Sequence, residues 1–277
     1  MGVRFLRFTP TRRNPSQARR ATLALALACL SLLVVSCGTT SSEGETEGSE
    51  ASLSGSVTVS AAASLQGAFT EIKAAFESAH PNIDVTLNFG ASSSLAQQII
   101  AAAPVDVFAS ADEATMAKVF DAGLVRQQPI IFATNSLEII VRKDNPSQIT
   151  ELSDLAQSGL IYVTCAPEVP IGTYSAAVLR KAGVTVTPAS LEPDVKSIVA
   201  KVSAGEADAG IVYATDIAAT KGAASGVLIP AEINITAKYP IAAISTSRRT
   251  SRAQAWIDFV TGPEGQRILK ANGFGIP

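Results

Sequence analysis

From Val57 onward, short apolar runs alternate with longer segments whose apolar residues recur every three or four positions. Val57-Thr-Val is a β-branched start that passes through small residues into Leu65, Phe69, Ile72, Ala75 and Phe76, spaced as on one helix face. The pattern predicts a strand over 56–60 and a helix over 65–78, with Ser64 as the helix N-cap. Strands over 84–89 and 105–109 bracket a helix over 95–102, and Asp112-Glu113 opens another to about residue 121. Strands over 130–134 and 137–142 surround Asn135-Ser136, followed by a short helix over 151–157 and a strand over 161–164. A loop over 166–172 then leads to a helix over 173–182, closed by Gly183. Asp194-Val195-Lys196 opens a helix to residue 204, and a strand covers 210–213. The rest reads as strands over 227–229 and near 239–245, with helices over 252–260 and 263–271.

Strands that are apolar throughout, separated by helices, predict an α/β fold with mainly parallel sheets flanked by helices. More than 220 residues of this alternation is large for one doubly wound sheet and suits two lobes. In such sheets ligands sit at the carboxyl ends of strands, where helix N-termini converge. Ser64 lies at such a turn, as does the Ser92–Ser94 run, with Asn135-Ser136 a third hydroxyl-bearing segment. Each taken alone is explained equally well as an ordinary cap. Together, with no Arg or Lys among them, they suggest a neutral pocket of hydroxyls and backbone amides that would suit an anion.

The first 36 residues stand outside this pattern. Six arginines precede an apolar run from Ala21 to Val35, with no acidic residue in the segment, as in a secretory signal. The run is too short for a comfortable membrane span of ~20 residues. It ends at Val34-Val35-Ser36-Cys37-Gly38, which resembles a bacterial lipobox with Cys37 as the lipidated residue; ordinary cleavage nearby, with Cys37 incidental, is the alternative. One lipid anchors a chain to a membrane face without making it span. Residues 37–54 form a Ser/Thr/Gly/Glu tract that reads as a solvated tether. Without the signal, formal charge moves from −2 to −8, with 16 basic residues against 24 acidic, so no basic surface is offered to nucleic acid. Cys165 is then the one cysteine of the folded part and reads as a small buried hydrophobe, so the core holds without a disulfide.

Catalytic chemistry is poorly supplied. His80 is the only histidine, beside Pro81 at a helix end, which leaves no Ser-His-Asp or Cys-His device. Zinc spacing, a P-loop, G-x-G-x-x-G and G-x-S-x-G are all missing. Asp106, Asp112, Asp208 and Asp216 leave a carboxylate hydrolase open, although each has a plainer place near a helix start or in a loop. The balance favours a binding protein.

Several segments, in order, resemble the periplasmic molybdate-binding proteins (ModA type) of ABC importers. They are Ala61-Ala-Ala-Ser64-Leu65, Asn88-Phe-Gly-Ala-Ser92-Ser-Ser-Leu-Ala-Gln-Gln-Ile99, Ala103-Pro-Val-Asp106-Val-Phe-Ala-Ser-Ala-Asp112 and Asn135-Ser136-Leu137. Pro167-Glu-Val-Pro-Ile-Gly172-Thr-Tyr174, Gly210-Ile-Val-Tyr213-Ala-Thr-Asp216, Tyr239-Pro240-Ile and Gly262-Pro263 extend the match over about residues 56 to 275. The resemblance implies a two-lobed type II periplasmic-binding-protein fold, with lobe 1 over 55–133 plus 238–277, lobe 2 over 134–237, and a hinge of two crossovers near 133 and 237. It implies five contacts to molybdate or tungstate: Ser64 and Ser92 through hydroxyl and N–H, Ile171 and Val195 through backbone N–H, and Tyr213 through its hydroxyl. Isoleucine at 171 departs from the alanine common in the family; Ile171 and Val195 are otherwise ordinary core residues, and Tyr213 a strand aromatic.

No cofactor, no direct metal ligand and no catalytic step is implied, only an oxyanion handed by a lipid-anchored monomer to a membrane permease. Molybdate is a dianion without protons at neutral pH, so a cage made only of donors suits it and disfavours protonated phosphate. Sulfate must then be excluded by size. The rivals are a carrier of another oxyanion such as sulfate and an exported carboxylate-dependent hydrolase. If Ser92 only binds ligand, Ser92→Ala should weaken binding and leave the melting temperature of the ligand-free protein nearly unchanged.

Overall fold

A computed structural model of the chain describes residues 53–277. The signal segment, Cys37 and the tether up to Ser52 lie outside the described residues.

The first sheet contains β1 (Gly55–Ala62), β2 (Ile83–Gly90), β3 (Val107–Ala109), β4 (Ile130–Asn135) and β10 (Ala237–Ala243), in the order β2-β1-β3-β10-β4. The second contains β5 (Leu137–Arg142), β6 (Tyr162–Cys165), β7 (Ser190–Glu192), β8 (Ala209–Tyr213) and β9 (Ala224–Leu228), in the order β7-β6-β8-β5-β9. Each sheet is mixed. β1 pairs parallel with β2 and β3, and β10 runs antiparallel between β3 and β4. β6 pairs parallel with β7 and β8, and β5 runs antiparallel between β8 and β9. The mainly parallel expectation thus holds for strand direction, with one reversed strand at the fourth place of each order. Those reversed strands are the ones the chain enters directly after leaving the other sheet. A single residue, Ser136, separates β4 from β5, and residues 229–236 separate β9 from β10.

Eight α-helices accompany the strands among the described residues: α1 (Gln66–Ala79), α2 (Ser92–Ile100), α3 (Glu113–Asp121), α4 (Pro170–Lys181), α5 (Val195–Ala204), α6 (Ala214–Ala219), α7 (Thr250–Thr261) and α8 (Pro263–Ala271). The apolar face read from the sequence is the buried one in α1: Phe69, Ile72 and Phe76 are buried, and Phe69 and Phe76 meet Trp256 of α7 edge-on at 5.7 and 5.3 Å. Burying such rings supplies the apolar area that replaces disulfides in this core.

Three local expectations are corrected. Ser64 is no N-cap: Ala63–Leu65 form a 3₁₀ turn, α1 starts after it at Gln66, and the Ser64 side chain makes no capping bond. The segment 166–172 is not loop throughout, because Pro170 occupies the first turn of α4, where its fixed φ and missing N–H suit a helix start. β7 was missed, being three residues whose alternation is too short to register.

Candidate functional site

The loops at the carboxyl ends of β1, β2, β6 and the approach to α5 face one small cavity. It is lined by Ala62, Ala63, Ser64, Gly90, Ala91, Ser92, Ala111, Val169, Pro170, Ile171, Asp194, Val195 and Tyr213. All five residues singled out from the sequence are among them.

Helix register explains what those residues offer. In α2 the first turn-closing bond is made by Leu95 N–H to the Ala91 carbonyl at 3.0 Å, so the N–H groups of Ser92 to Ser94 come before the ladder begins. In α4, Thr173 N–H closes on the Val169 carbonyl at 3.0 Å, leaving Ile171 N–H ahead of it. In α5, Asp194 turns its carboxylate back on Ser197, accepting its N–H at 3.0 Å and its hydroxyl at 3.1 Å, and Val195 N–H precedes that bond. The 3₁₀ turn adds the Ser64 N–H. Three helix starts, each with amides ahead of its helical ladder and a positive dipole end, and the 3₁₀ turn therefore border one cavity.

The side chains complete the set. The Ser92 hydroxyl accepts the Ala111 N–H at 3.0 Å, which leaves its own proton for the cavity. The Ser64 hydroxyl meets the Tyr239 hydroxyl at 3.0 Å. Tyr213, at the end of β8, is 1 % exposed, and its hydroxyl has no protein partner. Burial pushes the Tyr213 phenol well above its usual value, with Tyr239, Tyr174 and Asp112 acting in the same direction, so it stays a protonated donor. A buried hydroxyl without a partner costs about 1–3 kcal/mol, a cost that a bound acceptor removes.

Lysine and arginine are missing from the lining, so any anion here is held by dipoles and charge-assisted hydrogen bonds. Cavity size limits what enters. The volume is about 20 Å³, where one water needs about 10–15 Å³ on the same scale. A space of that size suits one small polyatomic ion. Larger grooves of about 420 and 470 Å³ open elsewhere on the surface, and neither gathers more than one helix start.

The remaining candidates disperse. Asn135 ends β4 and Ser136 joins it to β5, a strand-to-strand link rather than a strand-to-helix turn, and neither lines the cavity. Asp106 is buried against Thr58 N–H, Ser247 and Arg249, while Asp208 accepts Ile161 N–H and faces Arg142. Asp112 caps α3 through Thr115 N–H, and Asp216 pairs with Lys196 at 2.8 Å. Each carboxylate is committed to its own fold contact. No group of three or more metal-ligating side chains occurs among the described residues. Burial pushes the Cys165 thiol up to about 12, with Asp194, Glu192 and Asp216 adding to the shift, so it is inert. Ala111 and Tyr239 went unassigned at the sequence level. Both stand inside matched segments, but their parts depend on contacts made far along the chain.

Two mixed sheets joined by two crossovers, with a small donor-lined cavity at the strand ends, define a solute-binding protein of the type II periplasmic class. The chain belongs to the bacterial extracellular solute-binding protein family, whose model matches residues 57–275. It is 37% identical over 248 residues to the molybdate-binding protein ModA of Mycobacterium tuberculosis, covering 88% of this chain and 93% of that one. To ModA of Escherichia coli it is 34% identical over 235 residues, covering 80% and 90%. The fold matches the periplasmic molybdate-binding protein of Azotobacter vinelandii with a TM-score of 0.70 at 22% identity, over 80% of this chain and 99% of that structure.

Proposed function

We propose that this protein captures molybdate, and tungstate with it, outside the cytoplasm and delivers it to an ABC importer, with no catalytic step. The observation that carries this reading is the hydroxyl of Tyr213, buried without a partner, on a residue lining the cavity that three helix starts and a 3₁₀ turn border. Ser64, Ser92, Ile171, Val195 and Tyr213 form the cage. Ser64 and Ser92 give N–H and O–H bonds, Ile171 and Val195 give N–H bonds, and Tyr213 closes the shell with its hydroxyl. A tetrahedral dianion accepts from all of them and needs no cation. Names carried by the relatives at 37% and 34% identity agree with this ligand.

The cage is shared between two lobes that close on the anion by a hinge. Lobe 1 is built on the first sheet and carries Ser64 and Ser92; lobe 2 is built on the second and carries Ile171, Val195 and Tyr213. The crossovers at Ser136 and 229–236 are the hinge. The chain acts as a monomer held to the outer face of the cell membrane by lipid on Cys37, and presents its closed form to the permease.

Calorimetric titration with molybdate, tungstate, sulfate and phosphate tests the assignment. The expected outcome is one site per chain that takes molybdate and tungstate, with sulfate at least tenfold weaker because the smaller ion leaves some donors out of reach. Equal affinity for sulfate, or no heat with molybdate, overturns it.

A further inference from the structure

The cavity lining holds no cation, while carboxylates stand in it and next to it. Asp194 is part of the lining, and Asp112 directly follows Ala111, which is too. Each of these two caps a helix, Asp194 that of α5 and Asp112 that of α3, so the positive dipole end of that helix offsets its charge. Asp216 is placed differently. It lies in α6, which has only six residues, and its side chain is 0 % exposed. One of its oxygens accepts the Tyr213 backbone N–H at 3.3 Å, which puts the carboxylate directly behind a cavity-lining residue. A dianion near a buried carboxylate is repelled, and more strongly where water does not screen the two.

The other Asp216 oxygen meets Lys196 Nζ at 2.8 Å. Lys196 is the second residue of α5, next to Val195, and does not itself line the cavity. A cation in the first turn of a helix opposes the helix dipole, so α5 taken alone has no use for a lysine there. Its use lies with Asp216. After burial, which is the larger cause, Asp216 is among the charges that raise the phenols of Tyr213 and Tyr239. Its field therefore extends to the Tyr213 hydroxyl and to the hydroxyl that meets Ser64. Without a counter-ion, the same field would act on an anion held in the cavity.

We propose that Lys196 sets the affinity for a dianion without touching it, by cancelling the buried charge of Asp216 behind the cage. The proposal rests on the oxyanion reading above and names what lets a shell without cations accept two negative charges. Asp216 keeps its bond to the Tyr213 N–H, and the pair it forms with Lys196 adds no net charge behind the site. The other role open to such a pair is mechanical, a clamp that ties the start of α5 to the end of β8. The two roles predict different orders of affinity when the charges are removed one at a time and together.

The test is calorimetric titration with molybdate at pH 8, with the ligand-free melting temperature measured beside it. Binding by the unaltered protein comes first, and its absence would sink the functional reading itself. Given that binding, affinity should follow the net charge left behind the cage. Lys196→Met, which leaves Asp216 alone, should bind about fivefold more weakly. Asp216→Asn leaves Lys196 alone and keeps an acceptor for the Tyr213 N–H, and it should bind at least as tightly as the unaltered protein. The double variant Lys196→Met with Asp216→Asn should return to within about twofold of the unaltered protein, although the ion pair is gone and the melting temperature has changed. Equal losses in all three, or no change in any, overturn the proposal. A double variant as weak as Lys196→Met also overturns it, in favour of a direct contact between Lys196 and the anion. Should Lys196→Met not fold, the other two still decide, because a clamp predicts that both bind more weakly than the unaltered protein.

Discussion

The Ser92 hydroxyl accepts the buried Ala111 N–H and gives its proton to the cavity, so Ser92→Ala removes a cage donor and strands an amide together. The expectation of an unchanged melting temperature, reasonable for a residue known only from sequence, is revised by that bond. Ser92→Ala should weaken molybdate about tenfold and also cost the ligand-free protein about 1–3 kcal/mol in urea unfolding. An unchanged unfolding midpoint would mean that the Ala111 amide finds another partner. The pH dependence is set at the same scale. Burial raises the Tyr213 phenol above its ordinary 10.0, so it remains a donor throughout the neutral and mildly alkaline range, and no other cage donor titrates there. The molybdate dissociation constant should therefore change less than twofold between pH 6.5 and 9 by calorimetry; a loss of affinity centred within that range would mean that a cage group deprotonates.

Among the elements, the start of α4 shows what holds an anion amide in place. Gly172 has an ordinary helical conformation, so its lack of a side chain is a matter of space: a Cβ there would lie 2.1 Å from the Ala166 carbonyl oxygen and 2.6 Å from that of Cys165. Gly172→Ala should push α4 off β6, carry Ile171 N–H out of the cage, and lower both affinity and stability, the latter by about 1–3 kcal/mol. Measuring both by calorimetry and thermal melting checks it; loss of neither would place the helix start elsewhere. Much of the element order was legible in sequence because strands such as β3 and β8 are apolar and buried throughout, while helices such as α1, α5 and α8 carry periodic apolar faces. What escaped depended on tertiary partners. Ser64 has the residue type of a cap, yet a 3₁₀ turn displaces the helix start and turns its hydroxyl to Tyr239, 175 residues away. The early start of α4 is visible in Pro170, whose fixed φ and missing N–H suit a first helical turn better than a loop running to residue 172.

For the whole molecule, the two sheet orders explain why cavity-lining residues so far apart in sequence converge. The chain leaves the first sheet through Ser136 and returns to it through β10, so the strand ends bearing Ser64 and Ser92 face the helix starts bearing Ile171 and Val195. A ligand that binds only the folded chain stabilises it by an amount that grows with the logarithm of its concentration over the dissociation constant, about 4.1 kcal/mol at a thousandfold excess. Molybdate at that excess should raise the melting temperature by several degrees, and the radius of gyration in solution scattering should fall. A melting temperature indifferent to molybdate at any concentration would remove the cleft from the account. That these five residues line one cavity was legible at this scale only through resemblance, since no spacing rule links positions 64, 92, 171, 195 and 213.

The central claim is that Tyr213 keeps a buried hydroxyl open for the anion, and Tyr213→Phe tests it most directly. The ring contacts to Tyr174 and Tyr239, at 6.5 and 5.8 Å, do not involve the hydroxyl and are kept. Removing an unpaired buried hydroxyl should leave the ligand-free protein as stable as before or more so, while the oxyanion loses a donor. Calorimetry and thermal melting of Tyr213→Phe beside the unaltered protein should therefore show molybdate bound about tenfold more weakly with an equal or higher melting temperature without ligand. An unchanged molybdate affinity together with a lower ligand-free melting temperature would contradict the account, because it would make the Tyr213 hydroxyl a part of the fold and not of the site.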